Sequence, residues 1–198
     1  MSFPDRILDF LPWSIAAVLI GGIVHLVSIL LMPVVAPNDA YHRLLALAKS
    51  RPPSSNQVVP LSPPAPDRQI LPFEDPALAE GVCVYDLSGG LLRVTAPVDG
   101  ENFLGISFHS ALGPIFHAVT DRDADKGRIE IVLGQAPQIE DLEEADPDNG
   151  PPPTETRVTA PALRGFVLIR ALAKRGSDVE RAQAAVNAVR CESFDVSD

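Results

Sequence analysis

Ser107, His109, Ser110 and His117 lie within one short stretch and carry the side-chain types that hydrolytic chemistry uses. Imidazole is a general base near neutral pH and a frequent metal ligand. His109 and His117 fall in two short alternating segments either side of Gly113-Pro114. A hairpin register centred on Gly113 places the two rings opposite each other. That is the start of a metal-assisted hydrolytic site, but a functional centre takes at least a third ligand, and spacing assigns none. Ser107 and Ser110 flank His109 with no G-x-S-x-G elbow and no identifiable acid to orient the ring. His109 and His117 therefore stand as candidate metal residues, with no catalytic residue and no cofactor assigned.

Asp121, Asp123 and Asp125 alternate as in a calcium loop, but Lys126 stands at the glycine position and Val132 where a bidentate glutamate belongs. The segment reads as a solvated turn. No P-loop or dinucleotide fingerprint occurs. The 198-residue chain has 26 acidic against 16 basic residues, a formal charge of −10. Such a balance lacks the basic face that nucleic acid requires.

The chain is 46% hydrophobic with only 6% aromatic residues, and the apolar residues are concentrated near the N-terminus. No charged side chain occurs from Phe10 to Asn38, and Trp13–Met32 is a run of twenty residues dominated by Ile, Leu, Val and Ala. At 1.5 Å rise per residue such a run spans about 30 Å, the thickness of a bilayer core. Pro12 is expected in the first turn and Pro33 just past the end, with Trp13 at the interface. A signal peptide is disfavoured, because the run is too long and only Arg6 is basic before it. Ala17, Gly21, His25 and Ser28 form a stripe of small and polar side chains, which predicts a helix–helix contact. A haem ligand at His25 would need a second such helix.

Asn38-Asp39 is expected to cap a short amphipathic helix with Tyr41, Leu44, Leu45 and Ala48 on its apolar face. Eight prolines between Pro52 and Pro76 predict an extended tether, with the β-rich domain beginning near residue 69. From Gly81 the pattern alternates. Val82–Leu87 and Leu91–Ala96 read as a hairpin, followed by strands at Leu104–His109, Ile115–Val119, Arg128–Leu133 and Gly165–Ala171. Residues 135–157 are acidic and proline-rich and read as a solvated, mobile loop. Ser177-Asp178-Val179-Glu180 is a capping-box signature for a C-terminal amphipathic helix ending near Arg190. The fold class is mainly β with peripheral α: a transmembrane helix, a tether, an antiparallel sandwich or barrel-like domain, and a C-terminal helix.

Three segments carry a family resemblance: LPFEDPALAEGVCVYDLSGGLLRVTAP, FLGISFHSALGPIFHAVTDRDADKGRIEIVL, and TRVTAPALRGFVLIRALA with its following helix and Cys191. Over about Asp39 to Cys191 the chain resembles short bacterial members of the domain of unknown function family DUF1254. The resemblance implies a single-pass envelope protein, often encoded beside a protein of the related DUF1214 family, and it supplies no catalytic residues. It also implies an exported domain. Charge alone points the other way, since Arg43, Lys49 and Arg51 follow the helix and only Arg6 precedes it. The expected placement is the bacterial inner membrane with the domain in the periplasm, where Cys83 and Cys191 pair; in the cytoplasm they would be two buried thiols. The function expected is a membrane-anchored, non-catalytic binding module for a partner membrane protein. A metal-assisted hydrolase using His109 and His117 is the alternative.

Overall fold

The computed structural model describes residues 3–35, 40–51, 57–65, 70–71, 74–112, 114–146 and 153–195. The chain forms two compact units, Met1–Asp39 and Ala40–Asp198. Asn38 and Asp39, expected as a helix cap, lie outside the described residues.

The first unit is one helix, α1 (Phe3–Val35). Its segment Phe10–Met32 has a mean hydropathy of 2.6 and is long and apolar enough to cross a membrane. The helix is longer at both ends than the apolar run alone predicts, so Pro12 and Pro33 both lie inside it. Pro4, and not Pro12, occupies the first turn, where a missing N–H costs nothing.

The second unit is mostly β. Its elements are α2 (Ala40–Lys49), β1 (Val59–Pro60), β2 (Leu78–Asp86), β3 (Leu91–Pro97), β4 (Leu104–Ser110), β5 (Ile115–Thr120), β6 (Arg128–Gly134), α3 (Ala136–Glu144), β7 (Thr156–Thr159), β8 (Arg164–Leu172), α4 (Val179–Ala188) and β9 (Arg190–Phe194). One sheet has the order β1-β2-β8-β4-β5 and the other β7-β6-β3-β9. Pairing is antiparallel except between β6 and β7, which run parallel. Both sheets contribute to a single apolar core that includes Cys83, Leu104, Ile106, Phe108 and Val167 from one and Val94, Ile131, Leu133 and Cys191 from the other.

The expected β2–β3 hairpin is not formed: the two strands lie in different sheets. A 3₁₀ turn at Leu87–Gly89, capped by the Asp86 side chain, carries the chain across. Gly90 follows with φ of +132°, where a Cβ would strike the Phe194 carbonyl. Turn chemistry alone resembles that of a hairpin; only the partner strands, far away in sequence, decide otherwise.

Strands β2 and β8 are buried on both faces. Val82, Phe166 and Leu168 meet Tyr41 and Leu44 of α2 on the outer face, while Cys83, Val167 and Ile169 enter the core. Double burial accounts for the unbroken apolar run of β8. Helix α2 therefore packs on the sheet, and β1, within the proline-rich stretch, pairs with β2.

The acidic stretch is only partly a loop. Helix α3 starts with proline in its first turn and buries Ile139 against Leu91 and Val132. Arg157 on β7 takes Asp146 in a bidentate pair (2.7 and 2.9 Å) and also Glu155 (3.1 Å). The capping box at Ser177 is not formed either. Gly176–Asp178 is a 3₁₀ turn and Asp178 is the N-cap of α4 without a side-chain bond.

Candidate functional site

Strand β4 alternates strictly: Ile106, Phe108 and Ser110 point into the core, and Ser107 and His109 point outward. In its pairing with β5, Ser107 faces Ala118 and Phe108 faces His117. The register then shifts at Phe108/His109, and His109 faces Ile115. Residues directly opposite share a face, so His117 lies on the core side with Phe108, their ring centroids 5.7 Å apart. The two histidines sit on opposite faces of one sheet. The pairing expected from a register centred on Gly113 fails by one residue, and one residue is enough to reverse a face.

On the outer face, His109 Nε2 and Ser107 Oγ are 3.0 Å apart. Ser107 Oγ also donates to the Leu168 carbonyl at 3.4 Å. The His109 ring stacks on Phe166 with centroids 4.5 Å apart and planes 11° from parallel. A serine–histidine pair is the beginning of nucleophilic chemistry, but acyl transfer also takes an acid to orient the ring and donors, from backbone or side chains, to hold an oxyanion. Strand β4 is hydrogen-bonded to β5 on one side and β8 on the other, so its N–H groups around Ser107 are committed to the ladders.

On the inner face, His117 Nε2 is buried without a hydrogen-bond partner. Burial holds its pKa below the ordinary imidazole value, with Asp123 pulling weakly upward. The ring is half-buried and packs against Phe108 at the margin of the core. Among the described residues no group of three or more His, Cys, Asp or Glu side chains could hold a metal ion.

The aspartates of the calcium-like segment are used internally. Asp121 accepts from the Leu104 N–H (3.3 Å), and Asp123 accepts from the Thr120 N–H (2.7 Å). On α1, Ala17, Gly21, His25 and Ser28 are all exposed along the helix, and the Ser28 hydroxyl donates to the Val24 carbonyl at 2.8 Å. Cys83 and Cys191, one from each sheet, are fully buried thiols beside one another in the core.

Sequence reasoning missed an exposed apolar group at the β5 end of the first sheet. Leu112, Ile115 and Leu163 are 74%, 60% and 49% exposed. They are gathered by the β4–β8 ladder: Ser110 pairs with Gly165, and the Ala111 N–H donates to the Arg164 carbonyl at 3.0 Å. Ile115, His109 and Phe166 form one cross-strand row on the outer face, running from the α2 cluster to the sheet's edge. The signal in the sequence was leucine and isoleucine beside Gly113-Pro114, where a turn ordinarily carries polar residues.

The family model described as Protein of unknown function (DUF1254) matches residues 55–193. The chain belongs to the DUF1254 family. Among solved structures, this chain is similar to the VPA0106 protein from Vibrio parahaemolyticus, with a TM-score of 0.53 at 11% identity. The match covers 79% of this chain and 35% of that one. An uncharacterized protein from Burkholderia cenocepacia gives a TM-score of 0.42 at 11% identity, over 63% of this chain and 32% of that one. The chain thus spans about a third of the length of the solved chains it resembles. No curated protein matches it.

Proposed function

We propose that this chain is a single-pass protein of the bacterial inner membrane whose β unit lies in the periplasm as a non-catalytic binding module. Its occupant is a separate membrane protein of the DUF1214 family. The observation that carries this reading is the edge strand β5, open on one side, with Ile115, Leu112 and Leu163 exposed beside it. Such an edge accepts an added strand through its backbone and an apolar side chain through its surface. The span Phe10–Met32 supplies the anchor, and its stripe at Ala17, Gly21, His25 and Ser28 the contact within the bilayer.

Arg43, Lys49 and Arg51 lie within about 20 residues of the span, where basic residues favour the cytoplasmic side, so the periplasmic placement is supported by the family resemblance against the charge count. The hydrolase alternative has no geometry behind it, since its two histidines occupy opposite faces. The test is copurification of the detergent-solubilised full chain from its native membrane. A DUF1214 protein should accompany the wild type and be lost with Ile115→Asp. Its absence from the wild-type preparation contradicts the reading.

A further inference from the structure

A seam joins the two sheets on the side away from β5. It is formed by β1 at the edge of one sheet and β9 at the edge of the other. The segment Gln57–Pro60 crosses it. The Gln57 N–H donates to the Cys191 carbonyl at 3.0 Å and its side chain to Ser193 at 2.9 Å, while Val59 pairs with Val82. Immediately inside this strap lie Cys83 on β2 and Cys191 on β9, both fully excluded from solvent. Cys83 pairs with Val167 and Cys191 with Val94, so each cysteine is fixed by the register of its own sheet. The strap is also where the chain coming from α2 joins the strands.

We infer that Cys83 and Cys191 are a disulfide site, an inter-sheet clasp beneath the Gln57–Pro60 strap that fastens β2 of one sheet to β9 of the other. The inference rests on the periplasmic placement proposed above. The bond forms by exchange with a disulfide-donating dithiol oxidoreductase. One cysteine thiolate attacks the donor's disulfide, and the second cysteine then displaces the donor from the mixed disulfide. The Cys83–Cys191 S–S bond is made, the donor's S–S bond is broken, and two electrons and two protons leave with the donor's two thiols. Burial and the neighbouring Cys83 thiol push the Cys191 pKa well up. The closed core holds thiols and no thiolate, and exchange therefore precedes closure of the two sheets. Once made, the bond is shielded from reductants until the unit opens.

The experiment uses the full chain from its native membrane, acid-quenched and then alkylated in denaturant without reductant. The expected result is no alkylated cysteine and an intact mass lighter by two hydrogens, with two alkylated cysteines after reduction. Two alkylated cysteines before reduction overturn the proposal. A second readout follows unfolding with and without reductant. Reductant should lower the midpoint of the wild type and leave that of a Cys83→Ala/Cys191→Ala chain unchanged; equal midpoints for the wild type overturn the clasp. Partner capture through Ile115 does not depend on thiol state, so failure here is distinguishable from failure of the binding reading.

Discussion

Asp86 and Arg164 form an ion pair of 2.8 Å across the β2–β8 ladder, at the point where the chain leaves one sheet for the other. The same carboxylate accepts from the Ser88 hydroxyl (2.6 Å) and N–H (3.1 Å), capping the 3₁₀ turn that makes the crossing. One aspartate thus fixes the corner that separates β2 from β3.

The Ser88 bonds, followed by Arg164, hold the Asp86 pKa down at about 2, against an ordinary 3.8. A depressed carboxylate stabilises the fold above its unfolded pKa and loses that contribution as pH falls through the folded one. Asp86→Asn should therefore lower the unfolding free energy at pH 6 by a modest amount, about 0.5–1 kcal/mol for so exposed a group. The gap between variant and wild type should shrink between pH 4 and pH 2. Urea melts of both chains at several pH values measure it.

Gly165 stands opposite Tyr85 in the ladder, and a Cβ there would strike both the Tyr85 hydroxyl and the His109 carbonyl that it donates to. Gly165→Ala should cost about 1–3 kcal/mol through overpacking. Thermal denaturation checks this, with Gly89→Ala, where a Cβ meets nothing within 4 Å, as the neutral comparison.

His117 titrates against the fold. Its pKa lies below 6.5, so as pH falls the unfolded chain takes up the proton first and stability declines below that value. His117→Leu removes both this proton uptake and an unpartnered buried nitrogen. The variant should unfold at the same or higher denaturant than wild type at pH 5.5, with a smaller difference at pH 7.5. A variant that becomes relatively less stable as pH falls contradicts the assignment.

Much of this architecture was legible in the sequence, and the failures have physical causes. Six strands, α1 and the apolar face of α2 follow from periodicity, because burial of a face imposes period on the residues that supply it. Strands β1, β7 and β9 are short and sit at sheet edges or beside prolines, so little burial marks them. Helix α3 escaped because its acidic face outnumbers the single buried Ile139, and the partner of Asp146 lies eleven residues on at Arg157. Pairing was the least legible. Whether β2 meets β3, and whether His109 meets His117, depends on registers set by distant partners and on one bulge.

Gly21 offers an open surface on α1, with nothing within 4 Å of its Cβ position. If the stripe mediates helix pairing, Gly21→Leu should reduce a membrane two-hybrid signal severalfold by keeping the backbones apart. Leu19→Ile, on another face of the helix, should leave the signal unchanged.

The central claim is that the β5 edge docks a partner membrane protein, and a photo-crosslinking residue at Ile115 in the full chain tests it in the native membrane. Irradiation should yield one adduct, with a DUF1214-family membrane protein, that disappears with Leu163→Asp and is absent from a probe at Thr95 in the other sheet. No adduct at position 115, or the same adduct from both positions, would contradict it.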